Sequence, residues 1–466
     1  MGGKNHLAET ATVHVQEAIQ PALSNREMRQ SIYHLAGPVI IENMLMTFVG
    51  MADMIMVGSL GPSAIAAIGL SNSSIFFATA AFAAISVGST ALVARHVGAK
   101  EYADANVMAR QSLILSVLLS IVFTALTLLA APYIMGWMGA EPGVKEIGTS
   151  YIRISTSTFA FSIISMIMNG VLRGAGDTRT PMRVNIIANL VNIVFNYLLI
   201  FGKFGFPQMG VDGAAAATAL SRMVGGLLVL RVLFSGELVV HISLRDRFRL
   251  DWPAIRRMMN IGVPAMMEQL VMRGGQLLFA RVVASLGTLT YAAHSIVMNA
   301  ESLSFMPGFG FSIAATTLIG QNLGAKRPDL AEHSGYECTK IAAVIMSFFG
   351  LIFFLIPHLF VRMYTDDPEV IRMGSSVLRL IAISQPFLAA SMVFAGALRG
   401  AGDTRWVLII TTVGVWGVRL VLAYVLCITL GWGLIGAWIG MSADLVLRAV
   451  LVWLRYRTGH WKTLRV

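Results

Sequence analysis

Leu172-Arg173-Gly174-Ala175-Gly176-Asp177-Thr178-Arg179 recurs residue for residue as Leu398-Arg399-Gly400-Ala401-Gly402-Asp403-Thr404-Arg405, 226 positions further on. The same offset superimposes Gly98-Ala99-Lys100 on Gly324-Ala325-Lys326 and Ser59-Leu60-Gly61 on Ser285-Leu286-Gly287. It also carries Pro38 and Glu42 onto Pro264 and Glu268. One eight-residue match is a recurrent turn at most. Four matches in register mark a duplicated unit without insertions or deletions between Pro38 and Arg405.

Composition says what the unit is made of. The 466 residues are 56% hydrophobic and 13% charged, with mean hydropathy +0.72. A soluble domain carries about 25% charged residues, so this chain lacks the polar groups to cover a water-facing surface. Charge is concentrated between long apolar runs, as in a chain whose outer surface meets lipid. The net charge of +11 falls at the ends of those runs. It is therefore read as a matter of topology and lipid headgroups, with no nucleic-acid partner. Cys338 and Cys427 have no metal-binding or redox spacing. No cleavable signal peptide is evident in residues 1–30, which are polar and mixed in charge.

The apolar runs predict twelve membrane-spanning helices near 32–57, 64–92, 108–132, 149–172, 181–202, 211–235, 257–283, 290–318, 335–359, 373–397, 407–430 and 433–454. Each reaches across a hydrocarbon layer of about 30 Å at about 1.5 Å per residue. The expected class is an all-α polytopic membrane protein of two six-helix repeats. Residues 1–30 form an N-terminal tail, 31–235 a first lobe, 236–256 a linker, 257–454 a second lobe and 455–466 a C-terminal tail. Six spans per repeat return the chain to its starting side, so the repeats run parallel, related by an axis along the membrane normal. Lys and Arg gather in the connections on the side of the termini: Arg95, Lys100, Arg173, Arg179, Arg183, Arg245, Arg247, Arg249, Arg256 and Arg257. That bias places both termini in the cytoplasm and the linker along the cytoplasmic surface of a cell membrane.

The repeated loop has a structural reading. Gly174, Gly176 and Pro181 break the helix, Asp177 caps the next one, and Arg173 and Arg179 meet lipid phosphates. The same roles are expected of Arg399, Asp403 and Arg405 in the second copy. A direct part in gating is the alternative.

Polar side chains inside the spans are costly and therefore informative. Glu42 and Asp53 are eleven residues apart on one face of span 1, about 16 Å along the axis. Span 5 carries Asn185, Asn189, Asn192 and Asn196 as one stripe. Asn185 and Asn189 have a packing role as their simpler reading. Asn192 and Asn196 lie at the depth of Asp53, and with Thr218 of span 6 they compose a hard-oxygen site for Na⁺ or a proton-accepting carboxylate in a wet pocket. The second repeat replaces Asp53, Asn185, Asn189, Asn192, Asn196 and Thr218 with Phe279, Thr411, Val415, Val418, Leu422 and Asp444, so the acceptor-rich cavity is expected mainly in the first lobe, with Glu301 as a second-lobe candidate for coupling. Further cavity or coupling candidates are Glu42, Asn189, Glu268, His294 and Glu301, with Arg273 as a neutralising partner for Glu268. Glu42 and Glu268 have bracing of the broken helix start as their plainer reading, and His294 has packing. No clustered Cys/His ligand set, no Ser-His-Asp arrangement, no phosphate-cradling Gly-x-x-x-x-Gly-Lys-Ser/Thr and no nucleotide-binding domain is visible, so neither enzymatic activity nor a resident cofactor is expected.

Met51-Ala52-Asp53-Met54-Ile55-Met56-Val57-Gly58, the two Arg-Gly-Ala-Gly-Asp-Thr-Arg segments and Gly320-Gln321-Asn322-Leu323-Gly324-Ala325 resemble the multidrug and toxic compound extrusion (MATE) family. The resemblance covers nearly all of the chain after its N-terminal tail. It implies a V-shaped bundle that alternates between outward- and inward-open states and exports cationic amphipathic drugs in exchange for Na⁺ or H⁺. Asp53 matches the family's carboxylate in the first helix, Asn192 and Asn196 its acceptors in the fifth, and Thr218 a partner in the sixth. Members often carry Asp where Asn196 stands, so the resemblance implies either weaker proton or Na⁺ coupling here or a shift of more of it onto Asp53 alone. Acidic residues used by a subfamily in the tenth helix have no counterpart, since 374–396 offers Arg379 and Gln385 instead.

The expected substrates are small cationic or amphipathic compounds, met by Asp53 and Glu301 and by the adaptable side chains of Met44, Met46, Met166, Met168, Met298 and Met306. A monomer in contact with membrane lipids is expected. Export of a metabolite or a lipid-linked precursor, or flipping of lipid itself, is the alternative function.

Overall fold

The structure is a computed structural model that describes residues 24–464 apart from 244 and 247; the side chains of 73–78, 80 and 81 are outside the description. Its elements are α1 (Asn25–Gly58), α2 (Pro62–Gly98), α3 (Tyr102–Trp137), α4 (Pro142–Ser157), α5 (Phe159–Gly174), α6 (Arg179–Phe201) and α7 (Gly210–Phe234). The second half supplies α8 (Trp252–Ala284), α9 (Thr288–Gly324), α10 (Pro328–Leu355), the short α11 (Pro357–Arg362), α12 (Pro368–Ala401), α13 (Thr404–Thr429) and α14 (Gly433–Arg457). Among the described residues nine helices are long and apolar enough to cross a membrane, and α4 with α5 makes a tenth. Helices α2 and α8 complete a set of twelve in two parallel repeats, arranged as a V-shaped bundle.

Several helices begin six or seven residues earlier than the sequence reading has them, α3 at Tyr102, α4 at Pro142 and α10 at Pro328 among them, and two early starts move domain boundaries. Helix α1 starts at Asn25 rather than near Ile32, so residues 25–30 belong to a span; 1–23 lie outside the described residues. The reason is a reciprocal cap. The backbone N–H of Glu27 donates to Ser24 Oγ at 3.3 Å, and the Glu27 carboxylate accepts from the Ser24 backbone N–H at 2.9 Å. Helix α8 likewise begins inside the expected linker, at Trp252, where Asp251 accepts from the backbone N–H of Ala254 at 3.1 Å. The remaining linker is an irregular strap. Val240 and Ile242 are buried in the first-lobe core, and Gln111 of α3 ties down the backbone at Arg249 and Asp251.

Helices α4 and α5 are one span bent by 53°. The bend falls on Ser155-Thr156-Ser157-Thr158, whose hydroxyls compete for backbone hydrogen bonds. Ser157 Oγ donates to the Ile154 carbonyl, and the Thr158 hydroxyl donates across to the Ala219 carbonyl of α7 at 3.0 Å. Helix α13 contains two π-helical stretches, Val413–Arg419 and Val425–Thr429, a loosened winding common at functional positions.

The lobes exchange their first helices at the end that carries the tails. Met28, Ile32, Leu35 and Ala36 of α1 are buried in the second-lobe core, while Ala254, Met258 and Ile261 of α8 are buried in the first. Farther along α1 the chain leaves that core, and Phe48, Met51, Met54 and Ile55 are exposed. The molecule is therefore sealed at the tail end. Repeat-equivalent glycines allow the seal: a Cβ on Gly98 would stand 1.9 Å from the Gln321 carbonyl oxygen, and one on Gly324 1.9 Å from that of Arg95.

Candidate functional site

Helices α1 and α6 run parallel and in register, and their polar groups meet twice. Asn185 Nδ2 donates to Glu42 at 2.6 Å, and Asn196 Nδ2 donates to Asp53 at 2.6 Å; both pairs are 143 residues apart in sequence. The eleven-residue spacing of Glu42 and Asp53 thus matches that of Asn185 and Asn196, as two ladders of equal rise require. With its amide turned to satisfy its neighbours, Asn192 donates to both Asp53 oxygens at 3.0 and 3.1 Å, and Thr218 Oγ1 lies 3.5 Å from the other end of that amide. The structure thus gathers Asp53, Asn192, Asn196 and Thr218 into one cluster. Asn192 and Asn196 are buried, while Asp53 is half-buried where α1 emerges from the packed body. Among the described residues Asp53 has no ion-pair partner, and Asn196 Oδ1 is buried without a hydrogen bond. Asn189 stands between the two groups and makes no side-chain hydrogen bond among the described residues.

Glu42 has a different task. Arg173 of the repeated loop donates to it at 2.7 Å, and in the second copy Arg399 grips Glu268 through Nε at 3.2 Å and Nη2 at 2.6 Å. The two acids are buried and the two arginines only slightly exposed, so each bridge is shielded from solvent. This corrects the expectation that Arg173 and Arg399 meet lipid phosphates. It also corrects the pairing of Glu268 with Arg273, which donates instead to Gln276 at 3.1 Å. The sequence held the clue: Glu and Arg are duplicated together, 131 residues apart in each copy.

The other loop residues divide. Asp177 accepts from the backbone N–H groups of Arg179 and Thr180 at 3.1 and 2.9 Å, as a cap should. Asp403 does not cap α13; it pairs with Arg455 of α14 at 2.7 Å, where the first repeat has Val229. Arg179 and Arg405 are exposed.

The second lobe holds charge that the sequence reading overlooked. Asp444 is fully buried and accepts from Arg419 Nε at 2.9 Å and from Arg448 Nε at 2.8 Å. Glu301 is buried on the same cavity wall, which also carries Glu268, Arg273, Arg399, Arg419 and Arg448. Ionisable residues within apolar spans were the signal, and Arg419, Asp444 and Arg448 all give it. So does Arg222 of α7, which donates at 3.2 Å to the Ser155 carbonyl beside the bend in span 4. Helix α13 approaches this triad closely because Gly414 leaves room for Asp444. His294 is not part of the group: its ring packs 5.6 Å from those of Phe279 and Trp438. Of the expected methionines, Met298 lines the cavity with Met272, Met392 and Met441, whereas Met168 is fully buried and Met306 nearly so. His96, Glu101 and Asp104 gather in the turn between α2 and α3, a surface cluster remote from both polar centres in sequence and fold.

Comparison with known proteins returns the same duplication. The MatE family model matches twice, at residues 38–198 and 264–425, and the two matches start 226 residues apart. A probable multidrug resistance protein NorM from Thermotoga maritima is 36% identical over 447 residues, covering 94% of each chain. A crystal structure of MATE in the straight conformation superimposes with a TM-score of 0.87 at 26% identity, covering 92% of this chain and 96% of that one. The outward-facing conformation of a multidrug resistance MATE family transporter gives 0.86 at 26% identity, covering 92% and 95%.

Proposed function

This chain belongs to the MatE family of efflux transporters, and on that premise we propose that it exports cationic amphipathic compounds in exchange for Na⁺ or H⁺, with Asp53, Asn192, Asn196 and Thr218 as the coupling site. It is a multi-pass membrane protein performing secondary active efflux and is not an enzyme. The choice of ion and substrate is our reading.

The observation that carries it is the state of the Asp53 cluster. A carboxylate in a membrane span normally has a fixed cationic partner or a function. Among the described residues Asp53 is held only by amides, whose hydrogen bonds orient it without cancelling its charge. An Asn side chain is two-faced: its NH₂ serves an anionic carboxylate, and rotation by half a turn presents an oxygen to a cation. The buried, unpartnered Asn196 Oδ1 is such an oxygen already in place. Carboxylate, amide and hydroxyl oxygens suit a hard monovalent cation, and the same carboxylate is the natural seat of a proton. Either ion neutralises Asp53 and loosens its hold on Asn192 and Asn196, which frees the exposed half of α1 from α6. A cationic substrate competes for the same negative charge, so ion and substrate exclude each other, as exchange requires.

With both termini in the cytoplasm, the sealed tail end makes this conformation open to the outside. Alternation then consists of parting the α2–α9 contact while the distal ends of the lobes meet.

The test is efflux of a cationic dye from proteoliposomes under separately imposed Na⁺ and H⁺ gradients. We expect one gradient to drive release, and Asp53→Asn to abolish the driven component while the protein still inserts. Undiminished driven release from the Asp53→Asn protein would refute the assignment; release that needs neither gradient would refute antiport.

A further inference from the structure

Residues 95 and 321 are repeat equivalents on α2 and α9, the helices that cross at the sealed end. Each reaches over the crossing and donates to a carbonyl of the other lobe. Gln321 Nε2 of the second lobe meets the Gly174 carbonyl of the first at 3.1 Å. Arg95 Nη2 of the first lobe meets the Leu464 carbonyl of the second at 2.8 Å. The backbone of Arg95 lies in the same contact, since its carbonyl oxygen is what a Cβ on Gly324 would strike. The two clasps differ in what they hold. Gly174 ends α5 and is packed against α2, whereas Leu464 belongs to the short C-terminal segment that follows α14.

That segment is fastened to its own lobe. Gly459, in the left-handed region at φ 70°, turns the chain back after α14, and His460–Thr463 forms one 3₁₀ turn. The Trp461 ring is fully buried and stacks on Tyr456 with centroids 4.7 Å apart, while its Nε1 donates to the Tyr456 carbonyl at 2.7 Å. Lys462 pairs with Glu332 at the start of α10, and Leu464 packs against the second-lobe core. Among the described residues the segment's one hydrogen bond to the first lobe comes from Arg95. The first repeat has the same arrangement. After α7 the chain turns at Gly236, φ 75°, and buries Val240 and Ile242 in the first-lobe core. It then continues as peptide chain into α8. One lobe is thus tied to the other covalently, and the other lobe by a bond that can break.

Arg95 is half-buried and makes no ion pair among the described residues, so this carbonyl is what holds its guanidinium in place. Parting α2 from α9 carries the guanidinium away from Leu464. The bond and the seal must therefore form and break together.

We propose that residues 459–464 are a latch on the sealed end: anchored to the second lobe by Trp461 and Lys462, they hold Arg95 and stabilise the closed contact of α2 with α9. Release of Arg95 from the segment is a step in opening that end, and the strength of the anchor sets how often the end opens. The consequence for transport rests on alternation by parting α2 from α9; the latch itself is read from the separation of the lobes.

The test follows spin labels at Ala103 and Asp329 by pulsed electron–electron resonance, in nanodiscs. Arg95→Met keeps the length of the side chain, removes the charge-assisted bond, and should lower the closed-to-open ratio about tenfold. Truncation after Thr458 should lower it as much, and adding Arg95→Met to the truncated chain should change nothing further. Gln321→Met removes the other clasp and should lower the ratio several-fold in the full-length and truncated chains alike. Trp461→Leu loosens the anchor in a chain of full length, and on that background too Arg95→Met should add little. An unchanged distribution in a folded Arg95→Met protein, or full additivity of Arg95→Met with both truncation and Trp461→Leu, would overturn the latch. So would disappearance of the Gln321→Met effect on truncation, which would show a general loosening of the end. A shifted distribution with undiminished gradient-driven dye release would sustain the latch and refute alternation at this contact.

Discussion

Replacing Gly98 and Gly324 together by alanine should open the sealed end without unfolding the lobes. A Cβ at either position would lie 1.9 Å from a carbonyl oxygen of the opposing helix. An ordinary carbon–oxygen contact needs nearly twice that, so α2 and α9 must part by about 1.5 Å. Overpacking of this kind costs about 1–3 kcal/mol per site. The two clashes lie on one crossing and are relieved by one movement, so they do not add. A combined cost of about 2–3 kcal/mol shifts the closed-to-open ratio roughly 30- to 150-fold. Within each helix the same change is favourable, since alanine exceeds glycine in helix propensity by about 1 kcal/mol. Interface and helix are therefore affected with opposite signs, and the lobes should stay folded. Spin labels at the exposed, repeat-equivalent positions Ala103 and Asp329 would report the separation by pulsed electron–electron resonance. We expect the principal distance of the parent protein to lose population to a longer one in the double variant. An unchanged distribution in a folded double variant would refute the argument that these glycines permit closure.

Two further outcomes follow from the ion pairs and the amide ladder. Arg399→Gln leaves Glu268 buried without its partner and should cost about 3–5 kcal/mol, read as a lowered Tm, whereas Glu268→Gln with Arg399→Gln should recover most of it; equal losses would contradict the pairing. Asn196→Leu, the residue the second repeat places at the equivalent position, removes the 2.6 Å bond to Asp53 and should weaken gradient-driven dye release at least tenfold with little change in Tm. Retained driven release in that variant would separate Asn196 from coupling.

The resemblance of the two repeats hides a division of chemistry. At the Asp53 position the first lobe groups one carboxylate with neutral amides. In the second, Thr218 has become Asp444 and the amide stripe has become valine and leucine, while Arg419 and Arg448 supply cations. The same backbone frame thus holds an acid among amides in one copy and an acid shared by two arginines in the other. The Glu42–Arg173 and Glu268–Arg399 bridges are kept in both, as expected of contacts that fasten the start of a proline-containing helix to the loop beside it.

The sequence alone determined the membrane character, the duplication, the number of spans and the pairing of α1 with α6. Those properties reside in contiguous residues: transfer of apolar runs out of water, a repeat in fixed register, and two polar faces with the same eleven-residue spacing. Tertiary structure decided which acid met which arginine, that Asp403 turned to Arg455 rather than capping its helix, and that the lobes exchange their first helices at the sealed end. It also decided that Asp444 would serve two arginines at once. A side chain's helix face can be read from its neighbours in sequence, but its partner is fixed by the approach of another helix, set by glycines, bends and the cores on either side.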